Sequence, residues 1–168
     1  MGRKLFVLLA LTVLAASIPA ECKMRGPSTP EERARALDYI QSLEQKPLAK
    51  DSVEKRIWLT EWIVQVPDIT VRMCCKALDS LDIVNDTYSN QLRMQAIYSQ
   101  AGYILQHPEV KSEAQKQAAG LAGTLRAYQA IRRFDPSAEY PVLDNLLSLQ
   151  RQGKLVRYLE QQGDCKED

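Results

Sequence analysis

SEAQKQAAGLAGTLRAYQAIRR, residues 112–133, is the stretch on which the fold turns. Ala114, Ala118, Leu121, Ala122, Leu125 and Tyr128 recur three and four residues apart, which places them on one face of a helix. The face is narrow and rich in alanine. Gly120 and Gly123 weaken a helix by about 1 kcal/mol each relative to alanine. The same small residues let a second helix approach closely. His107-Pro108 before it and Asp135-Pro136 after it break the chain.

The pattern continues outward in both directions. Upstream, Tyr88 to Gln106 reads as a helix with Leu92, Ile97, Ala101, Ile104 and Leu105 inward. Downstream, Pro141 opens a helix carrying Leu143, Leu146, Leu147 and Gln150, and Gly153 suits the position after its end. A short last helix carries Leu155, Val156 and Leu159 before Gly163. Near the amino terminus, Thr29 caps, Pro30 takes the first helical position, and Glu32 completes a capping box. Leu37, Ile40 and Leu43 follow at helical spacing until Lys46-Pro47.

Asp51 with Glu54 offers a second capping signal, for a helix running to about Val66. A third helix is expected after Asp68, with Val71, Cys74, Cys75, Leu78 and Leu81 on one face; its β-branched Ile69-Thr-Val start also admits a strand. The fold class is all-α: one domain of about six or seven helices, an antiparallel bundle or a short stack of helical hairpins. Tyr128 followed by Pro136 has the spacing of the end of a tetratricopeptide repeat. That repeat's tryptophan, leucine and glycine markers do not line up before it, so the sequence assigns the chain to no family.

Residues 1–20 have the grammar of a secretory signal: Arg3 and Lys4, an apolar run from Leu5 to Ala16, then Pro19 and Ala20. The run is shorter than the roughly 20 residues that span a bilayer. The expectation is an exported chain, secreted or periplasmic, whose mature domain covers residues 21–168 without a membrane span. Removing the signal changes 22 basic against 21 acidic side chains to 20 against 21. Such a balance gives no basic field for nucleic acid or an anionic membrane.

The four cysteines are Cys22, Cys74, Cys75 and Cys165, and in an exported chain they read as two disulfides. Adjacent cysteines on a helix point about 100° apart, so Cys22 and Cys165 are each expected to take one member of the central pair, in either order. Each bridge closes a long loop, worth about 4 kcal/mol in the chain-entropy model. Metal and redox sites require C-x-x-C spacing, which is absent. A lipidated Cys22 is disfavoured by Glu21, which stands where a small residue belongs.

Candidate sites are few. His107, the single histidine, lies at a helix C-terminus with no nucleophile motif, as a capping residue would. Asp79, Asp82 and Asp86 cluster near Asn85 and Asn90 but lack the order of a calcium loop, and read as helix-end and loop solvation rather than as a calcium or acid-catalytic site. Asn85-Asp86-Thr87 matches the glycosylation sequon. The second helix is the most informative: Leu59, Trp62, Ile63 and Val66 share one side, while Ile57 and Val64 lie nearly opposite, the pattern of a centrally packed helix. Trp58 falls off both groups, beside Glu54, Glu61 and Gln65. It reads either as an interface anchor or as an edge-of-core residue with its N–H to solvent.

The leading functional expectation is an exported helical binding or scaffold protein recognising a protein or peptide, with no cofactor and no metal. The rival reading is a small carboxylate-dependent hydrolase, which needs two acids facing each other across a cleft. A secreted-enzyme inhibitor is a third.

Overall fold

A computed structural model describes residues 25–72, 76–79, 81 and 87–162. It contains six helices: α1 Pro30–Gln45, α2 Ser52–Gln65, α3 Ser89–Gln106, α4 Glu113–Phe134, α5 Pro141–Arg151 and α6 Leu155–Gln162. A single 3₁₀ turn, Lys76–Leu78, lies between α2 and α3. There is no strand among the described residues. The signal segment and all four cysteines, together with Asp82, Asn85 and Asp86, lie outside the described residues.

The local start and stop signals act as physical chemistry requires. Thr29 Oγ1 accepts from the Glu32 N–H at 3.2 Å while the Glu32 carboxylate accepts from the Thr29 N–H at 2.9 Å, a complete capping box ahead of Pro30. Ser112 caps α4 through Gln115. At the end of α5, Gly153 adopts φ +68°, and the N–H groups of Gly153 and Lys154 reach the carbonyls of Gln150 and Leu149. That is a Schellman stop, which needs a residue at ease in the left-handed region. Asp51 departs from expectation. It makes no side-chain cap and instead pairs with Lys55 at 2.9 Å.

Helices α3 and α4 form the most extensive pairing in the molecule. They run antiparallel: Gly120 faces Ala96 and Gln100, and further along α4 Thr124 Oγ1 donates to the Leu92 carbonyl earlier in α3. The close approach expected of the alanine-rich face is real. A Cβ on Gly120 would stand 2.6 Å from the Ala96 carbonyl oxygen. On one side of this pair, α5 and α6 close a core of Leu121, Leu125, Tyr128, Ile131, Leu143, Leu146, Leu155 and Leu159. On the other, α1 and α2 build a second core around Ile40, Leu43, Leu59, Trp62 and Tyr98.

The third helix expected after Asp68 is not formed at residues 69–72, and 76–79 make only the 3₁₀ turn. Its apolar residues are nonetheless core residues: Ile69 belongs to the α1–α2 core, and Leu78 and Leu81 to the α4–α6 core. A connection bridging two cores delivers single side chains to each, which an irregular chain does more readily than one helical face. The β-branched residues at its start lower the helix preference there.

Candidate functional site

Helix α2 carries the candidate site, and its position is the first correction to the sequence reading. It packs on α1 and more lightly on α3, and on no other helix to comparable extent. It is therefore an edge helix rather than a central one. Leu59, Trp62 and Val66 are buried, whereas Ile57 and Val64 on the opposite side face solvent.

The tryptophan side of α2 is a joint with α1 and the chain before it. The Trp58 ring lies parallel to that of Trp62, 5.7 Å between centroids, and edge-on to Tyr39 at 5.4 Å. The Arg35 guanidinium covers Trp58 at 5.4 Å from the ring centre. Trp58 is half-buried, as an edge-of-core residue is. Glu61 and Gln65 line a shallow depression of about 290 Å³ with Trp58, Trp62, Arg25 and Glu32. Glu54 is exposed and does not line it. Gln65 accepts a 3.1 Å hydrogen bond from Arg25, which also pairs with Glu32.

Two carboxylates in this depression, Glu32 and Glu61, bear on the hydrolase reading. The Thr29 N–H holds the Glu32 carboxyl below its ordinary pKa; desolvation opposes this, and Arg25 adds to the lowering. The Trp62 indole N–H favours the ionised form from nearby, without a full hydrogen bond. A general acid needs the opposite shift. Asp79 is mostly exposed, 3.8 Å from Arg93. No group of three metal-ligating side chains occurs among the described residues. His107 caps α3 through its backbone N–H to Tyr103, and its ring lies tilted against that of Tyr103, 4.5 Å between centroids.

The opposite side of α2 is unlike the rest of the surface. Val53, Ile57 and Val64 are 63, 54 and 80% exposed, and the only other large hydrophobic side chain as exposed among the described residues is Phe134. At about 100° per residue the three fall within roughly 40° of one another around the helix. They form a stripe about three turns long. Beside it, a groove of about 390 Å³ runs between α2 and α3, mostly apolar, lined by Ile57, Thr60, Met94 and Tyr98, with Arg56, Glu61, Asn90 and Gln91 around it.

No known family matches the chain, and no curated protein and no solved structure matches it either. The geometry alone must carry a functional reading.

The groove has an electrostatic peculiarity. Arg56 donates to the Pro47 carbonyl at 2.6 Å and to Ser52 Oγ at 3.1 Å, yet it meets no carboxylate among the described residues. Its Nε is buried without a hydrogen-bond partner. Burial lowers its pKa, opposed by the nearby Tyr98. Burial likewise raises the Tyr98 pKa, opposed by the Thr60 hydroxyl 2.7 Å away and by Arg56. A half-buried arginine without a counterion is an electrostatic cost that an incoming carboxylate relieves.

The sequence showed Ile57 and Val64 as a second apolar side but assigned it to the interior. Val53, Met94, Tyr98 and Arg56 were missed as site residues. The stripe at positions 53, 57 and 64 is readable by spacing; which side faces water is a tertiary property.

Proposed function

We propose that the chain is an exported, non-enzymatic helical protein that binds a partner protein along α2. The partner presents an amphipathic helix of about three turns, whose apolar face lies in the α2–α3 groove. One of its carboxylates meets Arg56. The observation carrying this reading is the alignment of Val53, Ile57 and Val64 on one side of an edge helix. Single exposed hydrophobics are ordinary; an aligned stripe beside an apolar groove is what a helix-binding surface requires. Export rests on the amino-terminal charges and apolar run.

A displayed library of helical peptides, selected against the mature protein and re-tested against Ile57→Asp, tests it. The enriched peptides carry apolar residues at i, i+3 or i+4 and i+7 with an acid alongside. Ile57→Asp weakens them about ten-fold or more while leaving stability within about 0.5 kcal/mol, as exposed substitutions do. Enriched peptides without that periodicity, or binding indifferent to Ile57→Asp, refute the proposal. So does a concentration-dependent dimer that Ile57→Asp dissociates, because the stripe then serves self-association.

A further inference from the structure

A second cavity lies away from the α2 groove, where α3 and α4 pack beneath the 3₁₀ turn. It holds about 130 Å³ of free space. An apolar cavity of comparable size, about 150 Å³, accommodates a benzene ring. Its walls are mainly apolar: Leu78, Ala96, Ile97 and Leu121.

Gln117 also lines it, and two further polar features depart from a simple packing void. Gln100 lines the cavity and is 4% exposed, yet its Nε2 has no hydrogen-bond partner. A buried amide N–H left unsatisfied costs free energy, and an acceptor placed in the cavity relieves it. The second feature is the rim. Arg72 is exposed and makes no ion pair among the described residues. Arg93 donates to the Leu78 carbonyl at 2.8 Å and stands 3.8 Å from Asp79. Among the described residues the rim carries two guanidinium groups and one carboxylate. Arg93 and Gln100 lie seven residues apart on α3, about 10 Å along the helix axis. Their side chains face the same cavity from its charged edge and its buried interior.

We infer that this cavity binds a short organic acid with an apolar body and a second acceptor, a carbonyl or hydroxyl, at its far end. The carboxylate sits at the arginine rim, the body fills the space between Ile97 and Leu121, and the far acceptor takes the Gln100 N–H. Arginine suits the carboxylate because its fork of N–H donors matches two oxygens. The site is independent of the peptide groove, which is lined by a different face of α3.

The experiment titrates the mature protein with 5-oxohexanoate, hexanoate, methyl 5-oxohexanoate and benzene, read by calorimetry and by the Gln100 side-chain amide resonance. The expected result is saturable 5-oxohexanoate binding that shifts that resonance, with hexanoate and the methyl ester each about ten-fold weaker. Gln100→Leu abolishes the difference between the keto acid and hexanoate and leaves the ester penalty. Arg72→Gln reduces the ester penalty and leaves the difference between the keto acid and hexanoate. Because Arg72 is exposed, its replacement leaves the fold intact, which thermal melting checks. No binding of either acid up to about 10 mM, or an amide resonance that reports only exchanging water, overturns the inference. Benzene binding as tightly as the keto acid overturns it as well, since the cavity is then an unspecific apolar hole.

Discussion

Gly123→Ala adds one methyl group where α4 crosses α3 and α1, and its effect can be worked out from the surrounding atoms. An ideal Cβ at this position overlaps the Oγ and Cβ of Ser99 and stands 2.5 Å from Glu44 Oε1. Ser99 Oγ donates to that oxygen at 2.7 Å and accepts from Gln95 Nε2 at 3.0 Å. Arg126 holds the same carboxylate through Nε and Nη2, both at 2.8 Å. Alanine in place of a helical glycine contributes about 1 kcal/mol in favour of the helix. Overpacking costs about 1–3 kcal/mol, and losing the charge-assisted Ser99–Glu44 bond costs about 1.5–3 kcal/mol. The unfavourable effects win, for a net loss of about 2–5 kcal/mol and a fall in Tm of roughly 5–15 °C. Urea unfolding followed by circular dichroism measures it. Gly102→Ala is the internal control: its Cβ is tight only against the movable end of Ile40 at 3.2 Å, with Ile40 Cγ2 and Leu37 Cδ2 at ordinary contact distance, so stability changes by less than about 1 kcal/mol. Ser99→Gly should partly rescue Gly123→Ala in a double-mutant cycle. A Gly123→Ala protein as stable as the parent, or more so, refutes the claim that this contact sets the helix spacing.

Other outcomes follow from the same contacts. Trp62→Ala, fully within the α1–α2 core, should cost roughly 3–5 kcal/mol, whereas half-buried Trp58→Ala should cost about 1–2 kcal/mol; equal losses in urea titrations contradict the edge-of-core placement. Burial of Asp68 opposes its ionisation, but hydrogen bonds from the Ser28 N–H and hydroxyl and from Arg33 outweigh that and lower its pKa. A depressed folded pKa gives stability that is present above the ordinary value of about 4 and is lost as pH falls through the folded value. Asp68→Asn should therefore be less stable at pH 7 and show a shallower acid transition, and an unchanged acid profile counts against the linkage. Peptide mapping of the non-reduced exported protein, with its amino terminus near Glu21, should link Cys22 and Cys165 to the Cys74-Cys75 peptide. A direct Cys22–Cys165 bridge, or a lipid on Cys22, contradicts the expected topology.

Most of the helical layout was legible because its signals are local. The Thr29–Glu32 box, Pro141 and Gly153 each act within one or two turns, and the Asp135-Pro136 break is a property of the proline ring. The alanine and glycine face of α4 announced a close partner helix, since absent side chains leave no other reading of such a stripe. Asp51 shows the limit of a local rule: Lys55 competes for its carboxylate, and the cap is not made. The segment after Asp68 shows another. Its apolar spacing fits a helix, but Ile69 goes to one core and Leu78 and Leu81 to the other, a division no single helical face supports. The helix premise for the cysteine pair is thereby lost on its amino-terminal side, and the expected pairing now rests on the adjacency of Cys74 and Cys75.

The candidate sites were less legible than the fold, for a physical reason. Helical spacing shows which residues share a side, not what that side meets. Ile57 and Val64 were visible as a second apolar side of α2; only the packing order of the helices left it uncovered at the edge. The polar core between α1, α3 and α4 was invisible in the same way. Ser99 and Glu44 are buried where they meet across α3 and α1, Gln95 is buried beside them bonded to Ser99, and Gln100 is buried where it lines the cavity. By itself the sequence determined helix starts, stops and periodicity, which depend on neighbours a few residues apart. Exposure of α2, burial of the amides and the charged rim above the cavity depend on residues tens of positions apart, and only the tertiary structure brings those together.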